Sequence, residues 1–417
     1  MEWLVNSAAA LCGLLSLMAA LWGGYYLVVG LMSWRRPMDY GWHPARTRFA
    51  VLIAARNEEL VIGPLINSLL TQDYPSDLYD IWVIPNNCTD NTALAAENVG
   101  AKVLECTVPV RNKGQVLRFA YERLKGRGYD AYCVFDADNL ADRRFLAEMN
   151  NAYMAGARAA QGYRDSKNPY DTAVSGCYSI YYWMMDRFHN GGRAGLGLSA
   201  MLNGTGFMIS ARVLEKLGGW NTRTISEDLE FTALCTLAGE KIHWVPKAVT
   251  YDEQPLDYDQ SVRQRRRWSS GTLQVAHAYL GRTGWALRTG KNPVSLFDLG
   301  ATLMVPAYQA VLLLNLLVSS AALCLGCQHL SEVPGAFLGA LAANLAFSAF
   351  CTTLAAALVL TVERKWDRRL WKAVCLYWLF LLSWLPITLG SFVKETTVWE
   401  EIRHTRNVAP EALVRNT

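Results

Sequence analysis

The chain has 417 residues, of which 52% are apolar and only 18% are charged. This composition is unusual for a soluble enzyme and indicates membrane segments beside one large domain or two ordinary ones. The 40 basic and 36 acidic residues give a net charge of +4, which argues against a nucleic-acid partner. Ten cysteines show no disulfide framework, and no second Cys pair or His cluster completes a zinc site with Cys324 and Cys327.

An apolar run near the N-terminus, residues 4–32, predicts a transmembrane helix within a first segment, residues 1–34. The run is too long for the core of a signal peptide, and no cleavage site of small residues follows it, so we expect the helix to be retained. Four arginines come next, namely Arg35, Arg36, Arg46 and Arg48. By the positive-inside rule, they predict that the domain after the helix is cytosolic.

Residues 45–260 are predicted to form an α/β domain in which strands alternate with helices. The predicted strands are residues 48–55, 80–85, 101–105 and 131–138. The predicted helices are residues 58–70, a helix that ends at Gly100 with Thr89 or Asp90 as its cap, and residues 113–124. This alternation indicates a mostly parallel sheet, and the ligands of such sheets bind beyond the carboxyl ends of the strands.

Polar clusters follow three of the predicted strands. They are Ala55, Arg56, Asn57, Glu58 and Glu59; Asn86, Asn87, Cys88, Thr89 and Asp90; and Asp136 and Asp138. Carboxylates at i and i+2 can bind one cation if the chain turns there, and Mg²⁺ and Mn²⁺ often share such ligands with a substrate diphosphate. Surface turns also contain D-x-D, but here both acids follow the apolar run AYCVF, where they are costly without a partner.

Glu227 and Asp228 open a predicted helix that runs to Gly239. The free N–H groups and the dipole of a helix N-terminus hold a carboxylate ionised there. Two interpretations stay open at this point. Either Ser226 or Asp228 caps the helix, or Asp228 is a general base that is deprotonated at neutral pH.

The run QRRRW, residues 264–268, lies within residues 257–280, which are predicted to be helical. In a helix, Gln264, Arg267 and Trp268 share one face and form a hydrogen-bonding, cationic and stacking set for one ligand. Arg265 and Arg266 point elsewhere, and we expect them to face interfacial phosphate headgroups or local acids. Residues 261–295 are therefore predicted to form the QRRRW helix and further interfacial helices.

A C-terminal membrane region covers residues 296–393. Its apolar runs are residues 296–326, 336–362 and 371–393, and the basic loop 363–369 is predicted to be cytosolic. Asp298 and Pro306 indicate that the early part of the first run lies along the interface. The last run is broken at residues 384–386. A complete crossing would put the tail, residues 394–417, outside the cell, whereas a re-entrant segment would leave it in the cytosol.

Three motifs, FDADN (135–139), SEDLEFT (226–232) and QRRRW, occur here in an order and spacing that resemble those of the membrane-embedded family 2 glycosyltransferases. That group includes cellulose, hyaluronan and chitin-oligosaccharide synthases and several capsule and exopolysaccharide synthases. Further segments also resemble the family, namely AARNEE (54–59), NNCTDNT (86–92), RNKG (111–114), NGTGFMIS (203–210) and AVTYDEQP (248–255).

The resemblance implies a GT-A fold, a nucleotide-binding α/β sheet that faces the cytosol from an integral plasma-membrane protein. Asp136 and Asp138 would hold Mg²⁺ or Mn²⁺ and the donor diphosphate, with Asp138 as the more direct metal ligand. The donor-binding residues implied are Ala55, Arg56, Asn57, Glu58, Asn86, Asn87, Lys113 and Asp136.

The same resemblance implies roles at the acceptor side. Asp228 would deprotonate the acceptor hydroxyl, which attacks the anomeric carbon in line and inverts it. Gln264 and Arg267 would stabilise the departing diphosphate, and Trp268 would stack on the acceptor sugar. The acceptor-binding residues implied are Gly204, Thr205, Gly206, Glu227 and Trp268.

Two features qualify this resemblance. Many relatives carry an acid after the second strand, where this chain has Asn86 and Asn87, so base recognition there differs, although an amide can also pair with uracil. The segment WEEIRHTRN (399–407) resembles a gate that relatives fold over the bound donor, which requires a cytosolic tail.

The sequence thus predicts an inverting membrane glycosyltransferase with a nucleotide-sugar donor, a UDP-sugar being favoured, and a glycan or lipid acceptor. The favoured function is a processive synthase of a β-linked polysaccharide that it also translocates. The alternative is transfer of a single sugar to a membrane lipid, and a non-catalytic membrane scaffold is a remote third. A transporter is disfavoured because the apolar runs contain almost no charge. The sugar itself is not encoded by any motif.

Overall fold

The computed structural model of the chain describes residues 2–35, 39–290, 292–324, 327 and 329–396, and a mixed β-sheet forms the centre of this part. Its strands are β1 (Phe49–Ala55), β2 (Tyr79–Pro85), β3 (Lys102–Val103), β4 (Ala131–Asp136), β5 (Leu140–Ala141), β6 (Ala159–Ser166), β7 (Phe207–Ser210) and β8 (Ile242–Asp252). Their order across the sheet is β3-β2-β1-β4-β7-β6-β8-β5. Neighbours among β1 to β4 are parallel, whereas β7 is antiparallel to β4 and β6. The predicted α/β domain with a mostly parallel sheet is confirmed.

Helices cover both faces of this sheet and continue beyond it. They are α1 (Glu2–Leu31), α2 (Ile62–Leu70), α3 (Thr92–Val99), α4 (Lys113–Leu124), α5 (Phe145–Met154), α6 (Ala173–Met184), α7 (Gly191–Gly195), α8 (Ala211–Lys216), α9 (Glu227–Leu237), α10 (Tyr258–Thr289), α11 (Pro293–Leu303), α12 (Val305–Cys324), α13 (Val333–Val362), α14 (Trp371–Leu382) and α15 (Trp384–Val393).

Strand β1 shows why the first strands of the domain are apolar along their whole length. All of its residues are buried, because Val51 and Ile53 pack in a cluster with α2 and α5, whereas Leu52 and Ala54 pack in a cluster with α4 and α9. A parallel strand with helices on both faces has no polar side. The carboxyl ends of β1, β2 and β4 therefore lie together at one edge of the sheet.

The predicted elements of the domain are present, but several boundaries differ, since β3 covers only Lys102–Val103 and α10 runs nine residues past the predicted end at residue 280. Helix α4 has both of its predicted ends. The helix expected to start at Glu58 begins instead at Ile62, because the preceding backbone bonds to the next loop. The N–H of Glu58 donates to Thr92 Oγ1 at 2.9 Å, and that of Glu59 donates to Asp90 Oδ2 at 3.1 Å. The N-cap residue of α3 is Asn91, whose side chain makes no capping hydrogen bond, so the predicted cap at Thr89 or Asp90 is wrong in position. Asp90 Oδ1 nevertheless accepts the N–H of Thr92, the first residue of the helix, at 3.1 Å.

Several helical segments of the described residues are long and apolar enough to cross a membrane. They are Asn6–Trp34, Val305–Cys324, Val333–Val362 and Arg368–Val393. The run predicted at residues 296–326 divides at Met304 into α11 and α12. The shorter α11 packs through Leu299 and Leu303 against α9 and α10 of the domain, which agrees with the expectation that this part does not span.

The two ends of the last apolar segment contact α6 and α10, respectively. At its start, Cys177 Sγ in α6 lies 3.4 Å from Ala373 O in α14. At its end, the N–H of Thr396 donates to Ser270 Oγ of α10 at 3.1 Å. Between them the helix breaks at Ser383, next to the predicted break. The segment at residues 399–407, which the sequence predicts to act as a gate, lies outside the described residues. The same holds for all of the tail after Thr396.

Candidate functional site

Lys113, the first residue of α4, lies at the centre of a polar cluster at the carboxyl edge of the sheet. The N-cap residue Asn112 accepts the N–H of Gln115 at 3.0 Å and so fixes the start of the helix. Lys113 Nζ donates to Asp136 and, at 2.6 Å, to the carbonyl oxygen of Gly204, and it lies 3.8 Å from Glu227 Oε1. Burial disfavours its charge, but Asp136 and Glu227 outweigh this and raise the pKa of Lys113.

Asp136, the last residue of β4, and Asp138 lie on a tight turn, called the acidic turn below. The backbone N–H of Asp136 donates to Asn139 Oδ1 at 3.2 Å and to Thr205 Oγ1 at 3.1 Å, which holds the turn in place. Burial opposes ionisation of Asp136, but the ammonium of Lys113 outweighs it and lowers the pKa of that carboxyl. Asp138 is buried beside it and accepts a long hydrogen bond from Asn139.

These two acids do not form a complete metal site by themselves. Among the described residues, no group of three or more His, Cys, Asp or Glu side chains is arranged to hold a metal ion. A pair of carboxylates fits a hard cation that takes its remaining oxygen ligands from a diphosphate and water, which is how Mg²⁺ is usually bound. The residues therefore fit a metal that arrives with the donor.

Glu227 and Asp228 occupy the first turn of α9, as predicted. Ser226 is the N-cap residue, but its side chain makes no capping hydrogen bond, so capping by Ser226 is wrong. The reason is the close approach of α10, since a Cβ on Gly271 would lie 2.0 Å from Ser226 Oγ. Asp228 Oδ1 accepts the N–H of Leu229 at 2.8 Å.

The electrostatics of this pair also differ from the prediction. The helix N-terminus was expected to hold Asp228 ionised, but burial dominates and raises its pKa. Burial also raises the pKa of Glu227 to about 7, with Lys113 acting in the opposite direction and Asp228 adding to the rise. Both carboxyls therefore bind protons more tightly than free carboxyls do, a property useful in a general base.

The loop at residues 203–206, called the glycine loop below, brings the predicted acceptor residues Gly204, Thr205 and Gly206 next to Asp228. Gly204 and Gly206 have positive φ values of 82° and 61°. A Cβ on Gly204 would lie 3.4 Å from Asp228 Oδ2, and one on Gly206 would lie 2.6 Å from Thr250 Cγ2. Thr205 is fully buried, and its Oγ1 accepts the N–H of Asp136 in the acidic turn. The loop thus needs glycine at both positions and links the acidic turn to Asp228.

The predicted donor residues after β1 and β2 lie together. Asn86 is buried and its amide donates to the carbonyl oxygen of Ala55 at 2.9 Å, while Asn57 Oδ1 accepts the N–H of Thr89 at 2.8 Å. Asn87 is exposed and donates to the carbonyl oxygen of Val110. Asn86 Oδ1 and Arg56 Nε are buried and lack hydrogen-bond partners in the described part of the chain. Such orphaned groups at a sheet edge fit a polar ligand.

The QRRRW run lies inside α10. Its side chains differ in exposure around the helix as the spacing predicts, except that Arg265 does not have the predicted surroundings. Arg266 is exposed, whereas Arg267 and Trp268 are half-buried. The charge of Arg267 contributes to lowering the pKa of Asp136, after the larger contributions of Lys113 and Arg164, so Arg267 lies near enough to the acidic turn to interact with it. Gln264 Oε1 is buried and has no partner among the described residues.

Arg265 is the exception, and its predicted interfacial position is wrong. Its side chain is fully buried. It donates from Nη1 to the carbonyl oxygen of Phe380 at 3.1 Å and to Ser383 Oγ at 2.6 Å. These groups belong to the end of α14, where a helix leaves carbonyl oxygens unpaired and favours a cation. Arg265 therefore fastens α10 to the break between α14 and α15.

Trp268 lies in an aromatic cluster rather than over an open groove. Its ring stacks on Trp384 of α15 at a centroid distance of 6.1 Å and an interplanar angle of 22°. Tyr178 and Tyr182 of α6 contact it edge-on at 6.0 and 6.2 Å. Trp268 therefore contacts both α6 and α15 through its ring.

Some site residues were missed by sequence reasoning. Arg164 in β6 pairs with Asp252 at the end of β8, donates to the carbonyl oxygen of Asn203 at 2.7 Å and lies 4.1 Å over the ring of Tyr182. Lys167 is buried with no hydrogen-bond partner for Nζ in the described region, and burial lowers its pKa. Asp252 stands in the motif AVTYDEQP, which was the available signal; Arg164 and Lys167 had none.

Comparisons with known proteins give the family and the fold of the chain. The family model described as glycosyltransferase-like family 2 matches residues 44–271. The probable glycosyltransferase YdaM of Bacillus subtilis (strain 168) is 29% identical over 251 residues, 56% of this chain and 57% of that protein. A β-monoglucosyldiacylglycerol synthase of Synechocystis sp. (strain ATCC 27184 / PCC 6803 / Kazusa) is 26% identical over 238 residues, 54% of this chain and 47% of that protein. The chain spans about half the length of these curated relatives.

A solved structure resembles almost the whole chain. It is the mannosyltransferase PcManGT from Pyrobaculum calidifontis in complex with GDP-Man and Mn²⁺. The match covers 93% of this chain and 98% of that one, with 20% sequence identity and a TM-score of 0.59. At this identity the similarity shows the fold, which is the GT-A-like fold that the sequence predicts.

Proposed function

The chain belongs to the glycosyltransferase-like family 2, and we propose that it transfers one sugar, with inversion, from a nucleotide-sugar to a hydroxyl group of a membrane lipid. Its donor would bind at the carboxyl ends of β1, β2 and β4. There the orphaned polar atoms of Arg56 and Asn86 offer partners for the nucleotide, and Lys113 and Arg267 offer positive charge for the diphosphate.

A divalent cation completes the donor site in this proposal. Asp138 is the metal ligand of choice, because Asp136 already shares its carboxylate with Lys113. The cation would neutralise the diphosphate as it leaves. Mn²⁺ in the solved mannosyltransferase supports a metal of this class, and Mg²⁺ has the same preference for oxygen ligands.

Asp228 is the general base of the proposed reaction. It borders the glycine loop of the acceptor side, and its raised pKa increases its affinity for the hydroxyl proton. The acceptor oxygen then attacks the anomeric carbon from the face opposite the diphosphate, which inverts the configuration. Arg267 pairs with the leaving diphosphate. Lys113 holds Asp136 and α9, the helix that carries Asp228, at a fixed distance from each other.

One observation supports a lipid acceptor in this proposal, the stacking of Trp268 on Trp384. The favoured prediction from the sequence, a processive synthase, needs an open path for a growing glycan past Trp268. Its ring is instead covered by a helix of the membrane region, so the acceptor would enter from the lipid side. Relatives named β-monoglucosyldiacylglycerol synthases support a lipid acceptor and make diacylglycerol the first to test.

The orientation in the membrane is part of the proposal. The loop at residues 363–370 contacts the catalytic domain through Lys365, which pairs with Asp165 at 2.7 Å, and through Glu363, which accepts from Tyr163 at 2.7 Å. The domain would face the cytosol together with this basic loop. Because both ends of the α14–α15 segment contact α6 and α10, that segment would be re-entrant.

Incubating the purified protein with single nucleotide-sugars, Mn²⁺ and diacylglycerol in mixed micelles tests the function. UDP- and GDP-sugars are supplied one at a time, and the products are analysed by thin-layer chromatography and mass spectrometry. We expect a lipid heavier by one hexose, and none with the Asp228→Asn variant. A water-soluble polymer, or nucleotide release without a glycolipid across the donor and lipid panel, would contradict the proposal.

A further inference from the structure

A cavity of about 650 Å³ lies between α6, the first turns of α10 and the helices α12, α14 and α15. Its lining is mostly apolar and includes Val174, Leu313, Leu376, Leu379, Leu385 and Leu389. The volume falls within the usual range of ligand pockets, roughly 300–1,000 Å³. Because α12 and the α14–α15 segment are candidate membrane spans, the natural occupant of such a cavity is hydrocarbon.

Buried polar atoms without partners gather beside this apolar space. They are Ser261 Oγ, Arg265 Nη2 and Trp384 Nε1, each without a hydrogen bond among the described residues. Ser261 lines the cavity, and so do Phe380 and Ser383, to which Arg265 donates. One such group typically costs about 1–3 kcal/mol, so several together indicate a missing polar ligand. All three atoms can donate a hydrogen bond, which fits a ligand rich in oxygen.

We propose that this cavity binds an acyl chain of the lipid acceptor and that Ser261 and Arg265 contact the ester oxygens at the head of that chain. The inference rests on the proposed function and deepens it, because it makes a long apolar chain part of acceptor recognition. Each methylene buried in the cavity contributes about 0.8 kcal/mol, so chain length sets affinity.

The cavity is joined to the catalytic site by a short series of rings. Phe380 lines the cavity and contacts Tyr178 at a centroid distance of 5.1 Å, and Tyr178 contacts Trp268 at 6.0 Å. Trp268 adjoins Arg267, on the side of the acidic turn. A lipid held by its chain in the cavity therefore has its head at the membrane-facing side of the catalytic site.

Filling the cavity tests the proposal through acceptor chain length. Leu313→Trp and Leu389→Trp add bulk from two different helices, α12 and α15. Leu354→Trp on α13 is the matched control, because Leu354 is exposed and does not line the cavity. Transfer to long-chain and short-chain diacylglycerol is measured for each variant. We expect kcat/KM for the long-chain acceptor to fall at least about tenfold in both filled variants, since excluding two methylenes already has that effect. Transfer to the short-chain acceptor and the control should be unchanged. Wild-type chain-length preference in both filled variants would overturn the proposal.

A binding experiment separates this proposal from the proposed function. A diacylglycerol with a photoreactive group at the end of one chain is cross-linked to the wild-type protein, and the labelled peptides are identified by mass spectrometry. We expect label in α12, α14 and α15, with loss of most of it in Leu313→Trp but not in Leu354→Trp. Labelling without any sugar transfer would reject the proposed function and retain the cavity assignment. Sugar transfer with label confined to other helices would reject the cavity assignment alone.

Discussion

Lys113 donates a hydrogen bond to Asp136 from the first turn of α4, so a buried ammonium meets a half-buried carboxylate at the edge of the sheet. The same ammonium lies 3.8 Å from Glu227 and bonds to the carbonyl oxygen of Gly204. One lysine thereby connects the acidic turn, the glycine loop and the helix that carries Asp228. The donor and acceptor halves of the site share this counter-ion, and a change at Lys113 must affect both.

Replacing Lys113 by methionine should destabilise the protein and weaken donor binding. The variant removes the ammonium nearest to both carboxyls, and leaving the buried Glu227 without it costs about 1–3 kcal/mol. The half-buried Asp136 loses less, because water reaches it. Lys102→Met is the matched control, because Lys102 pairs with Asp80 at the surface, where such a pair contributes about 0–1 kcal/mol. Thermal unfolding and nucleotide binding in detergent check the difference. Equal and small effects of both substitutions would show that the buried cluster does not depend on Lys113.

Removing the proposed base should stop transfer and spare donor binding. Asp228→Asn keeps an oxygen that can accept the N–H of Leu229 but cannot accept the acceptor proton. We expect transfer to fall by about 10²-fold or more, in line with the usual contribution of general-base catalysis. Rates of transfer and nucleotide affinity are measured side by side. A variant that transfers at the wild-type rate would reduce Asp228 to a structural residue.

Glu227 should make the stability of the protein depend on pH. Its folded-state pKa of about 7 lies above the 4.5 of an ordinary glutamate, so between these values the folded protein holds a proton that the unfolded chain has lost. The free energy of unfolding then decreases as pH rises through this window and levels off above about pH 7. Glu227→Gln should remove this decrease. Melting temperatures of both proteins from pH 4.5 to 8 provide the check, and parallel curves would show that Glu227 titrates normally.

Metal removal and Asp138→Asn should have the same effect on transfer. An amide is a far weaker ligand for a hard cation than a carboxylate, so the variant should lose transfer while remaining folded. Asp77→Asn, at an exposed turn, is the control. Excess chelator should abolish wild-type transfer, and added Mn²⁺ or Mg²⁺ should restore it. Full activity in excess chelator would rule out the metal.

The sequence predicted best what depends on local pattern. The ends of α4 agree with the helix predicted at residues 113–124, and the polar residues after β1, β2 and β4 converge because parallel strands end at one edge. These patterns were enough to bring together the acidic turn and the amides, whereas Lys113 was placed with them only by the family resemblance.

Contacts between distant segments were beyond local pattern. The pairing of Arg164 with Asp252 joins β6 to β8, and neither residue type is unusual where it stands. The raised pKa of Asp228 results from burial, to which the glycine loop contributes by its approach at Gly204, whereas the helix N-terminus alone suggested the opposite direction. The burial of Arg265 depends on where the break between α14 and α15 meets α10, 115 residues from Arg265 in the case of Phe380.

Replacing Arg265 or Arg267 of α10 by lysine should change different properties of the protein, namely its stability in the first case and its transfer rate in the second. Arg265→Lys keeps the charge but loses the Nε–H that donates to Ser261 O at 3.4 Å and the guanidinium plane that lies 4.8 Å over the ring of Phe380. It should therefore lower the free energy of unfolding by about one charged hydrogen bond, roughly 1.5–3 kcal/mol, and with it the melting temperature. Arg267→Lys should keep the melting temperature and lose most of the transfer rate, because a lysine cannot pair with the leaving diphosphate through two parallel hydrogen bonds. Arg266→Lys, at an exposed position, is the control for both. Melting temperature and nucleotide release are measured for all three variants at matched expression. If Arg265→Lys and Arg267→Lys lost stability and rate to the same degree, the run would act as one basic patch, and the separation of its arginines between a structural contact and the diphosphate would be wrong.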